Sequence, residues 1–281
     1  MSSFFYTWGD DMKRSTSLLI SVLLWLCILA ALLFLIARPD QGWRESGGHT
    51  QYLDAFGKPL TGWQKIDGKT WFFGYDGNLR YGWREYEGSW YYLGEDGAMR
   101  TGWIEYNGGS YYFDADGRML SGWQDIDGAR YYLRGDDGMK RNWLVLDGSW
   151  YYLGSDGRMR SGWVNIDGRR YYFGEDGVMQ TGWQDIDGAR YYLDGDGAAH
   201  HRWLYQDGLW YFFDANGMMK TGWAYDEGHW YYLGEDGVML TGWQDIDGTR
   251  YYLDKHGVML TGEQTIDGEE YLFDEHGALT A

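Results

Sequence analysis

The sequence predicts an all-β fold, a solenoid of stacked β-hairpins, preceded by one N-terminal transmembrane helix. Three observations carry that prediction. Tryptophan recurs every twenty residues, at 43, 63, 83, 103, 123, 143, 163, 183, 203, 223 and 243, before Glu263 breaks the series. A fixed period of that length marks a repeat architecture. Glycine holds a second fixed position in every repeat, from Gly48 and Gly68 to Gly268. It follows Asp in units such as Asp127-Gly128, the dipeptide that accepts positive φ at both centres of a two-residue hairpin turn. Finally, residues 15–37 form an apolar run without a charge until Arg38.

Taken in order, residues 1–14 are polar, end in Lys13-Arg14, and read as a cytoplasmic N-terminal segment. Residues 15–38 read as a transmembrane signal anchor, because about 20 apolar residues in a helix match the roughly 30 Å of bilayer hydrocarbon. The basic pair lies on the N-terminal side, which predicts a single-pass protein of the cell membrane with the repeats extracellular. Secretion after cleavage of a signal peptide is the competing expectation; the length of the run and the absence of an A-x-A site weigh against it. The single cysteine, Cys27, excludes an intramolecular disulfide framework.

The array follows at 41–281, about twelve repeats of twenty residues. The first is degenerate, with Gln51 and Pro59 at the usual Tyr and Met positions; the last, with Glu263 for Trp and Leu272 for Tyr, reads as a polar cap. In the unit at 121–140, a turn at Asp127-Gly128 pairs Ile126 with Ala129, Asp125 with Arg130, Gln124 with Tyr131 and Trp123 with Tyr132. Alternation then puts Trp123, Asp125, Arg130 and Tyr132 on one face and Ile126, Tyr131 and Leu133 on the other. A lone hairpin is not stable in water, so neighbours must stack and bury their aromatic faces.

With 44 Gly, 2 Pro and 20% aromatic residues, the composition does not suit an ordinary mixed α/β enzyme. A formal charge of −18 argues against nucleic acid and anionic lipid as partners and tolerates a cationic ligand, although most acids belong to turns such as EDG and DIDG. The six histidines are scattered, and adjacent His200 and His201 point apart on a strand. The DIDG runs lack the remaining ligands of a calcium loop. No nucleophile setting, phosphate loop or zinc spacing is present. The expectation is a non-catalytic protein without cofactor or metal.

A sixty-residue echo overlies the shorter period. Asp125/Arg130, Asp185/Arg190 and Asp245/Arg250 are cross-strand acid–base pairs sixty apart, and Trp90, Trp150 and Trp210 share the arginines' hairpin position. Either three hairpins make one turn of the superhelix, or a three-repeat block was duplicated; the two are compatible. In hairpin 83–92, Trp83, Trp90 and Tyr92 fall on one face, and Trp103 of the next hairpin can close over it. Aromatic faces around a gap suit a quaternary ammonium, or serve as platforms for sugar rings, or merely fill space.

The pattern TGW-x(4)-DG-x-WYYL-x(3)-G-x-M-x-TGW resembles the choline-binding, or cell-wall-binding, repeats of Gram-positive surface proteins and their phages, over about 41–281. The resemblance implies a left-handed solenoid with about three hairpins per turn and choline sites between consecutive hairpins. Each site takes two tryptophans of one repeat, an aromatic of the next and a Met at its edge. Carried over, four sites follow: Trp83, Trp90, Trp103 with Met99; Trp143, Trp150, Trp163 with Met159; Trp203, Trp210, Trp223 with Met219; and Trp223, Trp230, Trp243 with Met239. Thr70, Ser110, Arg130, Arg170, Arg190 and Arg250 replace the second tryptophan elsewhere, and an Arg there would repel a cation. Those versions look more like the glycan-binding repeats of clostridial toxins and glucan-binding glucosyltransferases. The expected partner is choline on (lipo)teichoic acids of the cell wall, with a cell-wall glycan or a purely structural stalk as alternatives, and the membrane is met through the N-terminal helix.

Overall fold

The computed structural model describes residues 19–29, 41–135 and 137–280. Residues 19–29 are helical, with the apolar side chains of Leu19 to Leu29 exposed. At 1.5 Å per residue these eleven residues span about 16 Å, half the thickness of bilayer hydrocarbon. Among the described residues no helix is long and apolar enough to cross a membrane. The expected single-pass membrane location, with a helix anchoring the chain, is therefore corrected; positions 1–18 and 30–40 of that reading lie outside the described residues.

The array is all-β. Among the described residues twelve hairpins begin at 42 and recur every twenty residues, built from five-residue strands such as Gly82–Tyr86 with Ser89–Leu93 and Gly182–Ile186 with Ala189–Leu193. Among the described residues each hairpin is its own two-stranded sheet, except that a short strand, Gly138–Met139, joins the sheet of the fifth. The pairing expected from the turn holds: Ile186 faces Ala189, Asp185 faces Arg190, Gln184 faces Tyr191 and Trp183 faces Tyr192. The turn has left-handed backbone at both centres, φ 51° at Asp187 and 79° at Gly188, which matches the twist of the flanking strands.

Separate sheets need something other than a ladder to hold them together. The connectors turn back on their own hairpin, as where the Gln180 amide donates to the Tyr172 carbonyl, and many also reach the hairpin before it, as where the Met179 amide donates to the Trp150 carbonyl (2.8 Å). The same bond recurs from Met99 to Thr70, Met119 to Trp90, Met159 to Arg130 and Met219 to Arg190. The residue after the aromatic pair of the second strand fills the core: Leu93, Leu153, Phe173, Leu193, Phe213, Leu233 and Leu253 are almost wholly buried. Ile126, Tyr131 and Leu133 are buried, while Trp123 and Tyr132 are only half-buried and Asp125 and Arg130 are exposed, so the two faces divide as the alternation requires.

The chain divides into two compact units. One comprises the described part of Met1–Gly122 with Leu133–Gly138, the other Trp123–Tyr132 with Met139–Ala281. In the second unit, one core cluster joins Ile166, Tyr171, Phe173 and Ala198, with Trp143, Tyr152, Val164 and Met179 packed against it. In the first, Ile66, Phe73 and Leu79 do the same with Tyr52, Leu60 and Trp71.

Candidate functional site

Two open cavities in the second unit lie at junctions between hairpins. The first, about 430 Å³, is lined by Trp143, Trp150, Arg169, Tyr171, Met179, Gly195 and Asp196. The second, about 250 Å³, is lined by Trp223, Trp230, Tyr251, Met259, Glu275 and His276. Another, of about 460 Å³ on the last hairpin, has Tyr271 as its single ring, beside Glu263 and Glu270.

In both tryptophan cavities the rings stand edge to face. Trp143 and Trp150 lie 5.8 Å apart at 82°, and Trp143 and Tyr171 5.2 Å apart at 74°. Trp223 and Trp230 lie 6.3 Å apart at 89°, and Trp223 and Tyr251 4.9 Å apart at 68°. The same set forms twice more: Trp83 with Trp90 (6.4 Å) and Tyr111 (4.9 Å), and Trp203 with Trp210 (6.3 Å) and Tyr231 (4.6 Å). The second tryptophan is the most exposed ring of each set, 43–45% for Trp90, Trp150, Trp210 and Trp230. Walls of this kind offer π-faces to a diffuse cation.

The first two rings of each set are those expected from sequence, and the third ring is not. Tyr171 lines the cavity at Trp143, whereas Trp163 packs on Tyr172 (5.1 Å) and Tyr191 (4.7 Å) of its own junction. Likewise Trp103 pairs with Tyr112, Trp223 opens its own cavity, and Trp243 packs on Tyr252 and Tyr271. The reason is the stacking. Successive hairpins meet the outer face of one against the inner face of the next, so the ring that reaches back is the inner-face tyrosine of the second strand. The methionines shift too. Met179 and Met259 line the cavities, while Met99, Met159, Met219 and Met239 bond through their amides to Thr70, Arg130, Arg190 and Trp210. Each therefore serves the junction one repeat before the expected one. The first Tyr of the recurrent Tyr-Tyr pair was the available signal.

Where arginine replaces the second tryptophan, it lies on the first. The guanidinium carbon stands 5.2 Å from the Trp123 centroid for Arg130, 3.9 Å from Trp163 for Arg170, 4.9 Å from Trp183 for Arg190 and 4.8 Å from Trp243 for Arg250. The paired acids are present, Asp125–Arg130 at 3.8 Å, Asp185–Arg190 at 3.7 Å and Asp245–Arg250 at 3.8 Å. Those junctions already hold a cation of the protein's own.

The tryptophan junctions also differ among themselves. Arg202 keeps a left-handed φ of 66° where most repeats have glycine. Its Nη2 donates to both carboxylate oxygens of Asp226 (2.9 Å) and to Glu227, and Trp203 Nε1 donates to Asp226 Oδ2 (3.0 Å). Burial first, then the negative charges of Asp226, Asp254 and Glu227, push the Tyr231 phenol above its ordinary 10.0, a sign of negative potential at that junction. Tyr205 and Tyr225 lie on Trp210 and Trp230 at 5.0 and 5.1 Å, where other repeats have Glu85 or Val145. Among the described residues, no group of three or more His, Cys, Asp or Glu is placed to hold a metal.

A family model described as a choline-binding repeat matches residues 60–101, 100–143, 160–203, 202–241 and 240–280, and one described as a putative cell wall binding repeat matches 143–159. Among solved structures, choline binding protein F from Streptococcus pneumoniae, crystallised with a peptidoglycan analogue (a tetrasaccharide-pentapeptide), is 29% identical, with 86% of this chain and 99% of that one covered and a TM-score of 0.58. CbpJ from Streptococcus pneumoniae TIGR4 is 31% identical over 85% of this chain and 94% of its own, TM-score 0.55. The modular autolysin LytC from Streptococcus pneumoniae, in complex with a synthetic peptidoglycan ligand, shares the fold at 24% identity, over 79% of this chain and 53% of LytC, TM-score 0.53. No curated protein matches the chain.

Proposed function

The chain belongs to the choline-binding repeat family, and from that premise we propose that it is a binding module for choline borne by cell-wall polymers. The observation that carries the reading is the pair of open, three-ring cavities at Trp143/Trp150/Tyr171 and Trp223/Trp230/Tyr251, each with a methionine in its lining. A trimethylammonium group has no hydrogen to donate, so it asks for apolar π-faces and not for acceptors, and those faces supply the attraction. Volumes of 250–430 Å³ suit a small head group better than a run of sugars. Trp83/Trp90/Tyr111 and Trp203/Trp210/Tyr231 have the same ring spacings and complete a set of four sites. The arginine junctions hold their cation internally and play a structural part. No reaction is proposed for the chain, because binding needs only these walls.

Within each unit we propose left-handed winding of about three hairpins per turn, which the sixty-residue echo supports. The binding test is retention of the full chain on an immobilised choline analogue. Elution by free choline and not by glucan oligosaccharides is expected. Retention should be lost when Trp90→Ala, Trp150→Ala, Trp210→Ala and Trp230→Ala are combined. Elution by glucan alone would transfer the reading to a glycan module, and no retention on either matrix would leave a stalk.

A further inference from the structure

The connectors carry a repeated contact of their own. The sulfur of Met179 fills the space that a Cβ on Gly197 would need, and the sulfur of Met259 does the same at Gly277. Seven connectors show this contact, always with the glycine eighteen residues on, beginning with Met99 on Gly117. The glycines are buried and the methionines half-buried. A partly accessible thioether thus seats one connector on the next.

Met179 and Met259 are also tied to the tryptophan hairpins: their amides donate to the carbonyls of Trp150 and Trp230, each at 2.8 Å. Met179 packs on the core cluster of Ile166, Tyr171, Phe173 and Ala198 as well. Not every connector uses sulfur. Leu79 holds the place over Gly97, where its Cδ2 would lie 2.6 Å from a Cβ, and Ala199 holds the place over Gly217, at 3.2 Å. The seat therefore needs an apolar group and not a thioether. Met119 and Met218 sit otherwise. Gly138, in the connector after Met119, lies on the Ser110 backbone, and Met218 pairs with Tyr191.

We propose that the seven seated methionines are modification sites for a peroxide, and that their oxidation loosens the array. The thioether sulfur attacks one peroxide oxygen, the O–O bond breaks and an S–O bond forms. The second oxygen leaves as water, taking both hydrogens. Sulfur gives up two electrons and the peroxide accepts them. The product is a sulfoxide, polar and chiral where the seat is apolar and closely fitted. Its oxygen either enters the contact with the glycine, where there is no room, or lies among apolar side chains without a donor, and both are unfavourable. Each sulfoxide therefore unseats one connector from the next. At Met179 and Met259 it also disturbs the segment bonded to Trp150 and Trp230. The assignment does not rest on the choline reading, because it concerns the stacking of the repeats.

The experiment treats the full chain with dilute hydrogen peroxide, locates sulfoxides by peptide mass spectrometry and compares thermal unfolding before and after. Sulfoxides should form at the seated methionines, and the melting temperature should fall by about 4 °C or more. A chain with every seated methionine replaced by leucine, the residue already at Leu79, should keep its melting temperature through the same treatment. A second chain, with Met119→Leu and Met218→Leu, keeps all the seats and should remain as sensitive as the parent, so the test stands even where the first variant fails to fold. Three results overturn the assignment. One is a melting temperature unmoved by sulfoxides at the seats, or seats that resist peroxide altogether. Another is a leucine-seated chain as sensitive as the parent. The third is resistance gained from Met119→Leu and Met218→Leu.

Discussion

Replacing Arg190 by tryptophan should create a fifth choline site. Every other part is already at that junction: Trp183 stands 4.8 Å from Tyr211, and the Met219 amide donates to the Arg190 carbonyl at 2.8 Å. What differs from the junction at Trp203 is the side chain over Trp183, a guanidinium at 4.9 Å where Trp210 stands 6.3 Å from Trp203. Removing the guanidinium forfeits about 0.5–1 kcal/mol of exposed cation–π attraction. Its ion pair with Asp185, 3.7 Å long with the carboxylate 78% exposed, contributes about 0.2–1 kcal/mol. Arg190→Trp should therefore cost no more than about 2 kcal/mol of stability, reduced by what the new indole buries. For the ligand, a further ring adds about 0.5–2 kcal/mol, or roughly twofold to thirtyfold in affinity at that junction, and the competing internal cation is gone. Equilibrium dialysis with labelled choline should count one more equivalent per chain than the parent. An unchanged count, in a variant whose near-ultraviolet circular dichroism matches the parent, would refute the idea that the arginines fill the remaining junctions.

Three further outcomes are expected. Phe173→Ala, at a side chain with no exposed surface that lies 5.9 Å from Trp143 and 6.4 Å from Tyr152, should cost about 3–5 kcal/mol in urea unfolding of the second unit and weaken choline at Trp143, whose ring it props. Gly188 and Gly138 have similar φ, +79° and +73°, but a Cβ at Gly188 meets nothing within 4 Å, whereas one at Gly138 comes within 2.7 Å of the Ser110 carbonyl oxygen. Gly188→Ala should cost only the left-handed strain of about 1–2 kcal/mol, and Gly138→Ala clearly more, read as the drop in melting temperature. On acidification, the Arg169 hydrogen bond holds the Asp196 carboxyl below its ordinary 3.8, and the Asn78 amide and then Arg80 do the same for Asp76. A depressed folded value means stability that is present above 3.8 and lost as pH falls through the folded values. Melting temperature should therefore fall below about pH 4, and Asp76→Asn with Asp196→Asn should make that fall shallower.

How much of this was legible can be followed residue by residue. The turn at Asp187-Gly188 fixes the pairing of Asp185 with Arg190 and of Trp183 with Tyr192, because a two-residue turn leaves no freedom of register; the observed pairs are those. Trp143 with Trp150 and Trp223 with Trp230 follow from the same counting, since both rings of each pair belong to one hairpin. The apolar run at 15–37 pointed to a membrane span that the eleven-residue helix at 19–29 does not make.

The third ring is a different kind of question. Tyr171 lies on the inner face of its hairpin and yet closes the cavity of the hairpin before it, and no alternation within one repeat states which face of a neighbour it will meet. The same holds for Met179 in place of Met159, and for Arg169 and Asp196, which come to one cavity from residues 27 apart. Periodicity and turn chemistry act over a few residues, so the chain alone determined the hairpin, its faces and the repeat. The offset between successive hairpins comes from how connector amides such as that of Met179 reach the preceding strand and how buried rings such as Phe173 pack. Only tertiary structure could decide that, and with it which side chains surround a ligand.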